Sequence, residues 1–242
     1  MTRAVVCLPT YNEALNLERM VRALGAELDP ERDLVLVVDD NSPDGTGEIA
    51  DALAAELPWV RALHRPGKEG LGRAYVAAFA RALELGAELV LEIDCDFSHD
   101  PRDVPRLIAA CETGGVDLAL GSRYVPGGGT KNWGLTRRLV SRGGSLYART
   151  VLGVGVRDLT GGFKCFRRHV LEGIALDRVT TGGYAFQIEM TYRALRSGAT
   201  VMELPIIFSE REVGASKMTQ AIVVEAMRKV PLLRLRALAG RL

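Results

Sequence analysis

A mostly parallel α/β sheet covered by helices is the fold class this sequence predicts, and three features predict it. Short apolar runs recur, amphipathic segments alternate with them, and polar clusters close the runs. The runs are 4–8, 34–38, 60–63, 89–93 and 118–120. Between them lie 16–28, 47–57, 72–85 and 104–111, with apolar residues at helical spacing, as at Leu17, Met20, Val21 and Leu24. Strands apolar throughout are buried on both faces, the mark of parallel sheets whose crossovers are helices. Such sheets bind ligands beyond their strands' carboxyl ends. PTYNE (9–13), DDNSPDG (39–45), DCD (94–96) and GSR (121–123) stand there.

Beyond Tyr124 the alternation changes. PGGG (126–129) reads as a loop, and 135–152 as a helix carrying Arg137, Arg138 and Arg142. Residues 160–166 read as a strand with a Gly pair, 184–196 as a helix, and 201–208 as a strand broken by Pro205. A polar loop follows at 211–217, then a basic amphipathic helix over 219–242, interrupted at Pro231. With no repeat and no linker, 1–242 reads as one domain.

The 242 residues are 48% apolar and 25% charged, ordinary for a globular chain. The net charge of +1 hides an asymmetry: residues 1–100 hold 9 Lys and Arg against 19 Asp and Glu, and the remainder 22 against 11. An acidic half suits a metal and a basic half suits phosphates or an anionic membrane, although uneven solvated surfaces would give the same count. Cys7, Cys95, Cys111 and Cys165 form no CxxC pair, as expected of idle thiols in a reducing compartment. The first strand starts so close to Met1 that no leader peptide is expected. No apolar run nears the roughly 18 residues a membrane span needs.

Asp94 and Asp96 flank Cys95 at a strand end. Residues two apart in an extended segment point the same way, so both carboxylates reach one spot, where a cation relieves their repulsion. Mg²⁺ or Mn²⁺ suits such a pair, with water and substrate phosphates completing the shell. The plainer alternative is an Asp-rich turn. Asp39 and Asp40 are placed to accept hydrogen bonds from a base or ribose, while Asp44 suits a helix cap. Gly70-Leu71-Gly72 reads as a turn opening a helix, either for close backbone approach to a ligand or as plain turn chemistry.

PTYNE (9–13), VDDNSPDGT (38–46), DCDFSHDP (94–101), GSRY (121–124), SRG (141–143), DLTGGFK (158–164), GYAFQIEM (183–190) and REVGASK (211–217) occur in that order. Together they resemble the family 2 glycosyltransferases of GT-A (Rossmann-like) fold, and more narrowly the polyprenol-phosphate (dolichol-phosphate) mannose synthases, in a short form without appended membrane helices. The resemblance runs to about residue 220, and departs from the commoner DAD only at Cys95.

The resemblance implies transfer of mannose from GDP-mannose to a polyprenyl monophosphate, with inversion. It implies Mg²⁺ or Mn²⁺ on Asp94 and Asp96, and donor contacts from Pro9, Tyr11, Glu13, Asp39, Asp40, Asp94, Asp96, Arg211 and Lys217. It assigns Arg123, Arg137 and Ser141 to the acceptor phosphate; with Asp96, Arg211 and Lys217 these make the expected catalytic set. Glu189 is expected to hold a helix near the sugar or orient an arginine, or else to form a structural ion pair. Residues 1–122 would then be the donor and metal half and 123–218 the acceptor half; by its own composition 219–242 reads as a membrane-facing helix, or else as a core-packing helix with a basic outer face. The protein is expected in the cytoplasm, peripheral on the membrane's cytoplasmic face, with no nucleic-acid partner and room for a membrane-protein partner. Rival readings are UDP-glucose as donor, a sugar hydroxyl as acceptor, and a non-catalytic nucleotide-sugar binder. His64, His99 and His169 read as structural or solvated.

Overall fold

In a computed structural model of the chain, residues 2–179, 181–210, 220–240 and 242 are described, with 220–226 described by backbone alone. The first half alternates as its pattern predicts: β1 (Ala4–Thr10), α1 (Leu17–Gly25), β2 (Asp33–Asp39), α2 (Thr46–Glu56), β3 (Val60–His64), α3 (Leu71–Glu84), β4 (Leu89–Glu92), α4 (Val104–Glu112) and β5 (Leu118–Ser122). There follow β6 (Gly129–Thr130), α5 (Leu135–Leu152), β7 (Lys164–Arg167), α6 (Arg168–Gly173), α7 (Gly183–Arg196), β8 (Val201–Pro205), β9 (Ile207–Phe208) and α8 (Gln220–Leu238).

The main sheet has the order β3-β2-β1-β4-β7-β5-β8. Its strands are parallel except β7, which runs antiparallel to both β4 and β5. Side chains alternate across β1: Val6 and Leu8 pack toward Leu17, Met20 and Leu24 of α1. Val5 and Cys7 pack toward Tyr75 and Phe79 of α3 and Phe186 of α7. Both faces are therefore buried, which is why the strand sequences are apolar throughout.

Two expectations change in detail. The strand expected at 160–166 is confined to Lys164–Arg167, because Thr160, Gly161 and Gly162 leave the ladder and line a cavity. Pro231 does not interrupt the last helix, which runs through it. Proline removes one backbone donor, but its neighbours Val230 and Leu233 are buried against Ala148, Leu152, Ile188 and Tyr192 of α5 and α7, and this packing holds the helix together.

Candidate active site

One cavity of about 360 Å³ opens beyond the carboxyl ends of β1, β2, β4 and β5, where an α/β sheet places its ligand. Its walls include Pro9, Tyr11, Glu13, Asp40, Asp94, Asp96, Arg123 and Arg137. Eight residues anticipated from sequence thus share one space. Asp39 and Ser141 do not line it, and Arg211 and Lys217 lie outside the described residues.

The loops forming the cavity are tied to one another. The backbone N–H groups of Asn12, Glu13 and Ala14 donate to Ser42 Oγ, Thr46 Oγ1 and Asp44 Oδ2 at 3.1, 3.0 and 3.1 Å. Asp44 also accepts from the Thr46 N–H at 3.1 Å, so one carboxylate ties the segment after PTYNE to the first residue of α2, whose N-cap is Gly45. Burial raises the Asp44 pKa, but these hydrogen bonds outweigh it and the net shift is downward. Asp39 is spent on structure, accepting from the Ser42 N–H and the Thr10 hydroxyl at 3.0 and 3.3 Å. Asp40 faces the cavity and pairs with Arg65; burial nonetheless raises its pKa.

Among the described residues, the non-glycine positions with positive φ are Asn12, Asn41, Phe97 and Asn132, all in loops on this side of the sheet. Asn tolerates the left-handed region, whereas Phe does so at a cost. Phe97, at φ 57°, makes the sharp turn immediately after Asp96, and such strain gathers at functional sites.

Asp94 accepts from the Tyr75 hydroxyl at 3.2 Å, and Asp96 Oδ1 accepts from the Ser98 N–H at 3.0 Å. Cys95 between them is buried and belongs to the core cluster on the α1 side of the sheet, although it also borders the cavity. Among the described residues no group of three or more His, Cys, Asp or Glu side chains could hold a metal by itself. Two hard carboxylates at the wall of one cavity fit Mg²⁺ or Mn²⁺ on one condition, that substrate phosphates complete the shell.

Arg123 donates from Nε and Nη2 to the two oxygens of Asp158 at 2.7 Å each, and from Nη2 to Thr160 Oγ1 at 2.8 Å. Burial lowers its pKa, but Asp158 more than compensates, so the guanidinium stays charged. Arg137 lies over the Trp133 ring at 4.3 Å and pairs with Glu210 at 2.9 Å. Ser141 accepts from the Tyr124 hydroxyl at 2.7 Å, supporting the residue next to Arg123. Glu189 pairs with Arg193 at 2.7 Å and accepts from Thr181 at 2.6 Å, and it does not line the cavity.

Several residues of the cavity were not anticipated. Lys68 sits 4.0 Å over the Tyr11 ring. His99 is a cavity residue, packed 4.9 Å from both Phe163 and Phe208. Burial pushes its pKa down to about 4, so it is neutral at pH 7. Gln187 lines the floor, and its carbonyl side faces the ammonium of buried Lys164, which also pairs with Glu92 at 3.0 Å. The available signal was placement: His99 lies in the same DCDFSHDP run as the aspartates, and Gln187 and Lys164 in motifs already recognised.

The sequence profile described as Glycosyl transferase family 2 matches residues 5–175. An "Undecaprenyl-phosphate mannosyltransferase" of Micrococcus luteus is 48% identical over 93% of this chain and 91% of its own. A "Polyprenol monophosphomannose synthase" of Mycolicibacterium smegmatis is 47% identical over 94% of this chain and 85% of its own. The fold is shared with glucosyl-3-phosphoglycerate synthase of Mycobacterium tuberculosis, solved with Mn²⁺, UDP-glucose and phosphoglyceric acid. That structure has a TM-score of 0.69 at 22% identity, covering 98% of this chain and 80% of that one. By its matched profile and by relatives alike along nearly its whole length, this chain belongs to glycosyl transferase family 2.

Proposed function

We propose that this enzyme transfers mannose from GDP-mannose to a polyprenyl monophosphate, giving a polyprenyl-phosphate β-mannose. Two full-length relatives bear the names of polyprenyl-phosphate mannosyltransferases. The observation that carries the reading is that one cavity holds both a carboxylate pair, Asp94 and Asp96, and two arginines, Arg123 and Arg137. A reaction joining a nucleoside diphosphate sugar to a second phosphate needs both.

In this reading the acceptor phosphate, with a second pKa of about 6, is largely a dianion at pH 7. It attacks the anomeric carbon directly. The phosphate O–C bond forms as the bond from that carbon to the diphosphate breaks, and GDP leaves with the electron pair. No proton has to be removed from the nucleophile, so no general base is required. Mg²⁺ or Mn²⁺ on Asp94 and Asp96 would supply counter-charge to the diphosphate. Pro9, Tyr11, Glu13 and Asp40 are proposed to wall the donor, and Asp39 to hold their loop. Arg123 and Arg137 are proposed to bind the acceptor phosphate, with Ser141 in support, since guanidinium matches phosphate geometry. Arg211 and Lys217 are proposed as cations over the leaving diphosphate.

Residues 1–122 then form the donor half and 123–218 the acceptor half. Residues 219–242, together with α5, form a face toward the membrane. Among the described residues no helix is long and apolar enough to cross a membrane. The reading of a peripheral protein on the cytoplasmic face, compatible with a membrane-protein partner, rests on relatives named for a polyprenyl-phosphate acceptor. Incubation with labelled GDP-mannose or UDP-glucose and polyprenyl phosphate tests it. Label from GDP-mannose should enter the lipid phase; label from UDP-glucose alone, or no lipid product, would reject it.

A further inference from the structure

We propose that Trp133 is a positioning residue for the acceptor phosphate: its indole holds Arg123 and Arg137 as a pair while leaving N–H groups free for the ligand. The proposal rests on the acceptor-side reading above. The Arg137 and Arg123 guanidinium carbons lie 4.3 and 5.6 Å from the Trp133 ring centroid. Trp133 is only 6% exposed. Phe208 packs edge-on against it at 5.1 Å and also lies 5.4 Å from the Arg123 guanidinium carbon. Both arginines line the cavity; the tryptophan stands behind them and does not.

The physical reason concerns what a cation's partner consumes. Two guanidiniums held close repel, and something must offset that. A carboxylate does so by accepting N–H bonds, as Asp158 does from Nε and Nη2 of Arg123, and those donors are then lost to a phosphate. An aromatic face attracts the cation through its quadrupole and accepts none of the in-plane N–H groups. Arg137 is held in both ways, over the ring at 4.3 Å and by one bond from Nη1 to Glu210. Its Nε and the indole Nε1 are both buried and find no acceptor among the described residues. Buried donors without acceptors are costly, and Arg137 Nε belongs to a cavity-lining side chain, where a phosphate oxygen is the kind of acceptor that would offset the cost.

The test compares Trp133→Phe and Trp133→Leu with Arg137→Ala in steady-state kinetics on the full chain, using GDP-mannose and a short-chain polyprenyl phosphate. Cation–π attraction weakens from Trp to Phe and vanishes with Leu. Trp133→Leu should raise the acceptor KM by about five- to thirtyfold, with kcat and the GDP-mannose KM within about twofold of wild type. Trp133→Phe should fall between the two. Equal effects of Phe and Leu, or equal rises in both KM values, would overturn the proposal. If Trp133→Leu does not fold, the Phe variant decides: an acceptor KM unchanged from wild type, or a rise shared with the donor, overturns it. An Arg137→Ala that raises the acceptor KM while both Trp133 variants leave it unchanged removes the platform alone. An Arg137→Ala without effect on the acceptor KM removes the acceptor reading and the platform with it.

Discussion

Arg123 and Asp158 form a buried two-pronged ion pair, with both carboxylate oxygens engaged at 2.7 Å and Asp158 also accepting from the Arg123 backbone N–H at 3.0 Å. Both side chains are almost fully buried. The pair joins GSRY to DLTGGFK and so fixes the end of β5 against the glycine segment of the cavity.

Asp158→Asn keeps the shape and removes the charge, leaving the guanidinium buried and uncompensated. Breaking such a pair costs about 3–5 kcal/mol, and urea denaturation at pH 7 should show a loss of that order. Burial raises the Asp158 pKa, but Arg123 outweighs it and the folded value lies below the ordinary one. The stabilisation is therefore fully present above the unfolded pKa of about 3.9 and fades as pH falls through the lower folded value. The gap between wild type and variant should narrow only on acidification below about pH 4. A variant equal to wild type at pH 7 would refute the structural weight given to the pair.

Asp96→Ala tests the donor side. The diphosphate would lose its main counter-charge, and turnover should fall at least about a hundredfold. Calorimetric binding of GDP in Mn²⁺ should weaken in the variant and in chelator-treated wild type. Turnover undiminished by mutation or by chelator would remove the metal assignment.

The fold was legible because its signal is local. Apolar strands and amphipathic helices alternate in 1–122, and each carboxyl-end cluster announces a loop. The antiparallel insertion of β7 was not legible, since the strand's partners β4 and β5 lie far away in sequence. The cavity wall was legible where a polar cluster closes a strand, as at Asp94 and Asp96. It was not legible where a carboxylate had to be either spent or available: Asp39 and Asp40 are adjacent and alike, yet one holds a turn and the other faces the cavity. Trp133 and His99 take their places through ring packing across three loops, which no spacing encodes.

Gly72 offers a purely steric prediction. A Cβ there would lie 2.5 Å from the Thr181 backbone carbonyl and 3.1 Å from the Phe186 ring. The close approach that Gly70-Leu71-Gly72 provides is thus to the segment before α7, and Glu189 secures the same segment through Thr181. Gly72→Ala should push that segment and the cavity residues Gly183 and Tyr184 outward, costing about 1–3 kcal/mol and lowering kcat/KM. Unaltered melting and kinetics would show that the segment yields freely.

The last helix packs against the core along one side. Deleting it would be a poor test, because Val230, Leu233 and Ala237 of α8 are buried with residues of α5 and α7. Nor are all its cations available: Arg234 donates to the Leu152 carbonyl at 2.7 Å, closing the end of α5. What remains outward is apolar and basic together. Leu135, Leu139 and Leu146 of α5 and Leu235 and Leu238 of α8 are exposed, as are Arg138, Arg142, Arg228 and Arg236. Exposed leucines beside arginines suit the interface of an anionic bilayer, where each cation contributes roughly 1 kcal/mol. Leu139→Glu and Leu235→Glu alter that face without touching the core, so thermal stability should change little. Each should lower sedimentation with phosphatidylserine-containing liposomes and raise the KM for a long-chain acceptor, while the KM for a short water-soluble one stays near wild type. Wild-type binding should weaken as salt rises. Equal sedimentation of wild type and both variants, or equal binding to neutral vesicles at high salt, would mean that α5 and α8 serve the fold alone.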